Sequence, residues 1–194
     1  MTTSASPRGR EAIRLAVLNA AAGLFATQGP EATSTRQIAA AAGVNRGLLH
    51  RHFGSKDQLV AAVVADGAQR FARELEGSAA DDLSSLVDAS FAAGDSARET
   101  VQVLVRAILD GVDIDTEVIR TGLVERAATQ MQQGAGGDSD TDPLLAAALL
   151  VASLLGWQLF APVLLDALDL PADRERAERE MSHMARELAR RSAP

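Results

Sequence analysis

The 194-residue chain contains no cysteine, which excludes disulfides and thiolate metal sites and is compatible with a reducing cytoplasm, where the protein is expected to reside. It has no tyrosine and six aromatic residues in all, five Phe and one Trp. Any apolar cavity it encloses therefore has to be lined mostly by aliphatic side chains. Lysine is almost missing: Lys56 is the only one among 19 basic side chains, and the rest are arginine. The opening residues MTTSASPRGR hold no apolar run, which argues against a secretory leader and for a flexible arm over 1–9. No phosphate-cradling glycine loop, nucleophile elbow or HExxH motif occurs. Glu180 and His183 have the spacing of a di-iron carboxylate ligand pair, but such a site needs two copies and the chain has one; they read as a solvated helix face. No catalytic residue, metal ligand or cofactor is expected.

What remains is ordinary globular protein with uneven charge. Hydrophobic content is 47% and the net charge is −7. The charge is segregated: residues 1–58 carry seven basic and three acidic side chains, a net of +4, and the remainder carries −11. A basic end on an acidic body attracts phosphate at one end and repels it at the other.

The most structured stretch is 34–59, STRQIAAAAGVNRGLLHRHFGSKDQL. Ser34 with Gln37 three residues on is a capping box. Ile38, Ala39 and Ala42 follow at helical spacing, and Gly43 offers a left-handed stop. Asn45 can cap a second helix, 46–53, whose apolar side is Leu48, Leu49 and Phe53. Gly54 stops that helix and Ser55 caps another. Two short helices joined at glycine make a helix-turn-helix. Ala39 permits the close crossing and Leu49 anchors the second helix. Its outward face shows Arg46, Gly47, His50 and Arg51, with His52 beside them: polar, partly cationic and free of acid, as a helix entering a major groove must be. The alternative is a plain αα-hairpin with a solvated basic face.

Ile38-Ala39, Ala42-Gly43-Val44, Arg46-Gly47, Leu49, His52-Phe53, Ser55-Lys56 and Leu59, with Phe25 and Gly29 upstream, closely resemble the DNA-binding domain of the TetR (tetracycline repressor-like) family of transcriptional regulators. The resemblance is specific over about 11–70, with the motif at about 34–53. Leu48 stands where a small polar residue is common, and His50 where tyrosine is usual, so base preference does not transfer. Arg46 is the strongest base-contact candidate, with a phosphate contact as its other role. His50 and Arg51 touch bases or phosphates, and His52 touches phosphate or packs on the first helix. Gly47 and Asn45 complete the reading surface. Thr35, Arg36 and Lys56 lie at helix N-termini, where backbone amides also favour anions.

Residues 11–28 form the first helix by the period of Ile13, Val17, Ala20, Leu24 and Phe25, ended by Gly29-Pro30. A long helix runs from 55 to about 76. Further helical patterns cover 81–93, 97–110 and 116–132; 133–142 reads as a loop. Residues 143–165 carry no charge. That length can span a bilayer, but Ser153, Gly156, Gln158 and Pro162 interrupt it and Asp142 and Asp166 border it. A helix apolar all round more commonly lies buried in a soluble assembly, so no membrane partner is expected. Over 172–191, Ala177, Met181, Met184 and Leu188 form a seam. One apolar and one seamed helix make half of a four-helix bundle, which a second copy would complete; the dimer contacts expected are Leu150, Leu154, Trp157, Ala177, Met181, Met184 and Leu188. The resemblance also implies a dimer of the last two long helices, and a small-molecule cavity in the body. Its candidate lining is Phe71, Phe91, Leu104, Ile108, Ile119, Leu123 and Trp157.

The expectation is an all-α chain of about nine helices: an arm at 1–9, a three-helix helix-turn-helix domain at 10–57, and a helical effector-binding and dimerisation domain at 58–194. It would bind double-stranded DNA at a palindromic operator as a homodimeric repressor released by a small hydrophobic effector. The alternatives are an effector-independent DNA-binding dimer, an activator, or a helical interaction or membrane-associated protein that does not bind DNA.

Overall fold

A computed structural model describes residues 9–77, 83–92, 94–120, 124–134, 142–170 and 174–191. Every element among them is helical: α1 (Arg10–Gln28), α2 (Thr35–Ala41), α3 (Arg46–Phe53), α4 (Lys56–Gly77), α5 (Leu83–Ala92), α6 (Gly94–Leu109), α7 (Thr116–Ile119), α8 (Glu125–Gly134), α9 (Pro143–Ala167) and α10 (Arg174–Arg191). Of the pattern expected as one helix over 116–132, α7 and α8 cover 116–119 and 125–132 and residues 120 and 124 are π-helical; 121–123, with Leu123, lie outside the described residues. Of the loop expected at 133–142, residues 133–134 belong to α8, Asp142 caps α9, and 135–141 lie outside the described residues.

The chain divides into two compact units. The first holds Met1–Gly67 and Glu99–Asp115. Its helices start and stop on local hydrogen-bonding chemistry. The Ser34 hydroxyl accepts from the Gln37 N–H at 3.2 Å, and the Gln37 carboxamide oxygen accepts from the Ser34 N–H at 2.8 Å. Both orphan donors of the α2 N-terminus are thereby satisfied. At the other end the Val44 N–H reaches the Ala39 carbonyl and the Gly43 N–H the Ala40 carbonyl, a Schellman stop. Gly43 occupies its left-handed position at φ 65°, where a side chain is strained. The Asn45 Oδ1 accepts from the Leu48 N–H and caps α3. Ser55 and Gln58 repeat the reciprocal box at the start of α4.

These ends set the phase of each helix, and the phase buries a continuous core: Val17, Leu18, Ala21 and Phe25 from α1, Ile38 and Ala39 from α2, Leu49 and Phe53 from α3, and Leu59, Val60, Val63 and Val64 from α4. Fully burying one such aliphatic or aromatic side chain is worth about 1.5–3 kcal/mol. The first unit continues along α4 past the expected boundary at 57/58, to Gly67, and takes in the C-terminal part of α6 as well. Val101, Val103, Leu104 and Ala107 are buried there. The Arg106 Nη1 donates to the Phe25 and Ala26 carbonyls, both at 2.7 Å. Those are among the last carbonyls of α1; Phe25 also accepts from the Gly29 N–H at 3.0 Å. At Gly67 of α4 an added Cβ would lie 2.6 Å from the Thr100 Cγ2 of α6, so the absence of a side chain permits that contact.

The second unit holds Ala68–Arg98 and Thr116–Pro194. In it α10 packs on α5 and α8 on α9. Ala127, Ala128, Ala147 and Val151 form one cluster, with Phe71, Leu150 and Met131 against it. Val87, Phe91 and Leu154 form another, flanked by Leu150, Trp157 and Met181. Asp142 caps α9 through the Leu144 N–H, and Pro143 occupies its first turn. The buried positions of α9 are Ala147, Val151, Leu154, Gln158, Ala161 and Leu165, alternately four and three residues apart, as in a coiled-coil seam. Another stripe, Leu145, Leu149, Phe160, Val163 and Leu164, stays exposed. α9 is long and apolar enough to cross a membrane, with mean hydropathy 2.1.

Candidate nucleic-acid interface

α3 presents the surface that its sequence predicts. Leu49 and Phe53 point inward at 1% and 9% exposure, while Asn45, Arg46, Gly47, His50 and Arg51 are exposed. Side chains three and four apart share a helix face, so Arg46 and His50 lie one turn apart along one edge, and Gly47 and Arg51 along the next. No acidic residue occurs between Asn45 and Gly54. Among the described residues, none of Arg46, Gly47 and Arg51 has a side-chain bond to the protein. Their donors face outward.

Other candidates are partly engaged by their own fold. The Asn45 carboxamide oxygen is spent on the α3 cap, which leaves its NH₂ to act outward. A Cβ at Gly47 would sit 3.3 Å from that same oxygen. Lys56 is half-buried and donates to the Glu31 carbonyl at 3.2 Å. Thr35 is half-buried at the start of α2 and Arg36 is exposed beside it. His52 is half-buried, its ring 6.5 Å from that of Phe53. The His50 Nδ1 lies 2.8 Å from the Gly54 carbonyl oxygen.

The structure adds one grouping. Gly9, Arg10, Ile13, Arg51 and His52 line a cleft of about 520 Å³. It joins the start of α1 to the far end of α3 and sets Arg10 beside the reading helix. In the sequence Arg10 is one of several arginines before a helix. Its place at the start of the first helix already marks it, with Arg8, as a phosphate candidate or a solvated side chain, and only the tertiary fold brings it to Arg51.

A family model described as bacterial regulatory proteins, tetR family, matches residues 17–63. The HTH-type transcriptional repressor Rv3405c of Mycobacterium tuberculosis is 40% identical over 162 residues, which is 83% of this chain and 80% of that protein. The chain belongs to the TetR family. It is a DNA-binding transcriptional regulator. Solved TetR-type structures share its fold: a TetR-like transcriptional regulator from Rhodococcus sp. RHA1 superposes with a TM-score of 0.66 at 24% identity, covering 94% of this chain and 98% of that one. A gamma-butyrolactone receptor (ArpA-like protein) does so with a TM-score of 0.60 at 23% identity, covering 92% and 98%.

The remaining candidate positions are those of the ligand cavity and the dimer contacts. Of those assigned to a TetR-type ligand cavity, Phe71, Phe91 and Trp157 lie in the second unit and Leu104 and Ile108 in the first. Phe91 and Leu104 are buried, Phe71 and Trp157 half-buried, and Ile108 is 59% exposed. The Ile119 side chain and Leu123 lie outside the described residues. The Trp157 Nε1 is buried without a hydrogen-bond partner among the described residues. Of the dimer candidates, Leu154 is buried within its own protomer, Leu150, Trp157 and Met181 pack on the same clusters, and Ala177 is half-buried. Met184 is exposed, and the Leu188 side chain lies outside the described residues.

Proposed function

We propose that the protein is a homodimeric, cytoplasmic repressor that holds a palindromic operator with two copies of α3 and releases it when a small hydrophobic effector binds the second unit. The observation that carries this reading is the acid-free outward face of α3, with Arg46 and Arg51 unengaged. Arg46 is the base reader, because a guanidinium matches the O6 and N7 of guanine. Arg10, Arg36, Arg51, His52 and Lys56, with the helix N-termini at Thr35 and Asn45, hold phosphates and set the register.

Two-fold symmetry rests on the exposed stripe of α9. Leu145, Leu149, Phe160 and Val163 make an apolar face of the kind that marks an association site. A second copy is the occupant that also supplies a second α3, and two reading helices need to stand about 34–36 Å apart on successive major grooves. This moves the dimer contacts from the inward Leu150 and Leu154 to the outward stripe. A membrane would cover the same stripe; light scattering in detergent-free buffer separates the two, since a defined dimer there sinks the membrane reading.

The effector part is supported by the aliphatic and aromatic surroundings of Trp157 and by its unpartnered donor, which suits an apolar molecule with one oxygen acceptor. The similarity in fold to a gamma-butyrolactone receptor is in keeping with it. Trp157 is the only tryptophan, so intrinsic fluorescence reports on its surroundings directly.

The test is selection from a pool of random DNA duplexes, followed by titration of the enriched palindrome at several salt concentrations. Wild type is expected to enrich a palindrome and bind it with a steep salt dependence. The Arg46→Ala, Arg51→Ala double variant is expected to lose at least about tenfold in affinity. Unchanged binding by that variant would sink the site assignment.

A further inference from the structure

His50 sits on the outward face of α3, and the fold makes its Nδ1 a hydrogen-bond donor. The Nδ1 lies 2.8 Å from the Gly54 carbonyl oxygen. A carbonyl oxygen only accepts, so the Nδ1 has to be the donor. In a neutral imidazole the other nitrogen is then an acceptor. The Gly54 carbonyl is free to take this bond because it lies just past the last turn of α3, where carbonyls have no partner within the helix. His50 is exposed, so Nε2 is left on the outward face, on the same edge as Arg46.

We infer that His50 is a specificity-determining residue that reads an exocyclic amine, the N6 of adenine or the N4 of cytosine, by accepting its hydrogen on Nε2. The inference rests on the reading of α3 as the groove helix. In the major groove adenine and cytosine present amine donors, whereas guanine and the thymine O4 present acceptors. A neutral His50 with its only ring proton committed to Gly54 cannot donate to guanine, to the thymine O4 or to a phosphate oxygen. Arg46, one turn away, is the reverse: it has donors and no acceptor. The face thus reads by opposite chemistry at successive turns of the helix, guanine under Arg46 and an amine-bearing base under His50.

Two measurements test this. Nitrogen-15 spectra of the imidazoles in the free protein give the tautomer, and there are only three histidines to assign. The expected result is the neutral Nδ1–H form for His50; the Nε2–H form or the doubly protonated ring would overturn the inference. The duplex selection is then repeated with His50→Lys, a donor without an acceptor, and His50→Phe, which has neither. Wild type is expected to favour adenine or cytosine at one position of each half-site by about three- to tenfold. His50→Phe is expected to lose that preference, and His50→Lys to move it to guanine or thymine, with all other positions unchanged. Identical preferences in all three proteins, or guanine at the His50-dependent position of wild type, would overturn the inference while leaving operator binding intact. If wild type enriches no sequence at all, the operator reading fails and this inference with it. Equal melting curves establish that the variants are folded.

Discussion

The two units solve different problems with the same element. The first builds its surface from short helices whose ends are fixed by named hydrogen bonds: Ser34 with Gln37, Asn45 with Leu48, Ser55 with Gln58, and Val44 back to Ala39. Such bonds fix where each helix starts, hence its phase, hence which side chains point at DNA. The second is organised by a single long helix with apolar residues all round. One stripe of α9 is covered by its own protomer and another is left open. Polar directional contacts give positional accuracy, while apolar faces give area with little directionality. A groove reader needs the first and an association surface the second.

The comparison is best broken on α9. Leu149→Glu with Phe160→Glu, both on the open stripe, is expected to give monomers by light scattering and to cut operator affinity by 10²-fold or more, on the order expected when two linked binding events become one. Leu154→Ala, on the covered stripe one turn away, is expected to cost about 2–5 kcal/mol in chemical unfolding. If Leu149→Glu with Phe160→Glu remains dimeric, the open stripe is not the interface.

Smaller effects sharpen the other side. Gly67→Ala forces a methyl against Thr100 and is expected to cost about 1–3 kcal/mol, with unfolding midpoints as the check. Ser34→Ala removes one half of the capping box and is expected to cost about 1 kcal/mol; unfolding in urea measures it, and no change would mean that the cap is not what holds α2 in phase. Smallest is the surface cluster of Arg120 with Glu117 and Glu125. Chiefly through its hydrogen bond, Arg120 holds the Glu117 carboxyl below the usual glutamate value. A carboxyl depressed on folding contributes stability above its unfolded value and loses that contribution as pH falls through the lower folded one. Because the cluster is exposed, Arg120→Ala is expected to differ from wild type only slightly in thermal midpoint at neutral pH, and not at all in molar salt.

How much was legible in the sequence follows the same division. Caps and stops are local, carried by residues three to five apart, and so Ser34, Gln37, Gly43 and Asn45 announce α2 and α3 without the fold. The inward face of α3 was equally readable, since Leu49 and Phe53 stand against Arg46 and Arg51. Nothing local marks Arg106, whose partners lie 80 and 81 residues earlier. Nor does the sequence of α9 say which face turns inward. With leucine, alanine and valine on every side, Leu150, Leu154 and Trp157 look as available to a partner as Leu145 and Leu149, and the inward seam even includes the polar Gln158. The Ser55–Gln58 box could have been found by the reasoning applied to Ser34–Gln37.

The bond from Arg106 to the end of α1 also has a consequence for the order of events at the ribosome. The first unit is assembled from two separate lengths of chain, with residues 68–98 made in between. A nascent chain that has emerged as far as Gly67 holds α1, α2 and α3, and Gly29 already bonds the Phe25 carbonyl, but the Arg106 guanidinium that ties Phe25 and Ala26 to α6 has not been made. The first unit is completed only after Glu99–Asp115 has been synthesised, so the newly made regulator gains its final grip on α1 before α8, α9 and α10 of the second unit have been made. A graft of this reading surface onto another regulator must carry both lengths; a fragment ending at Gly77 is expected to melt below the same helices in the whole chain, as amide exchange in α1 would record.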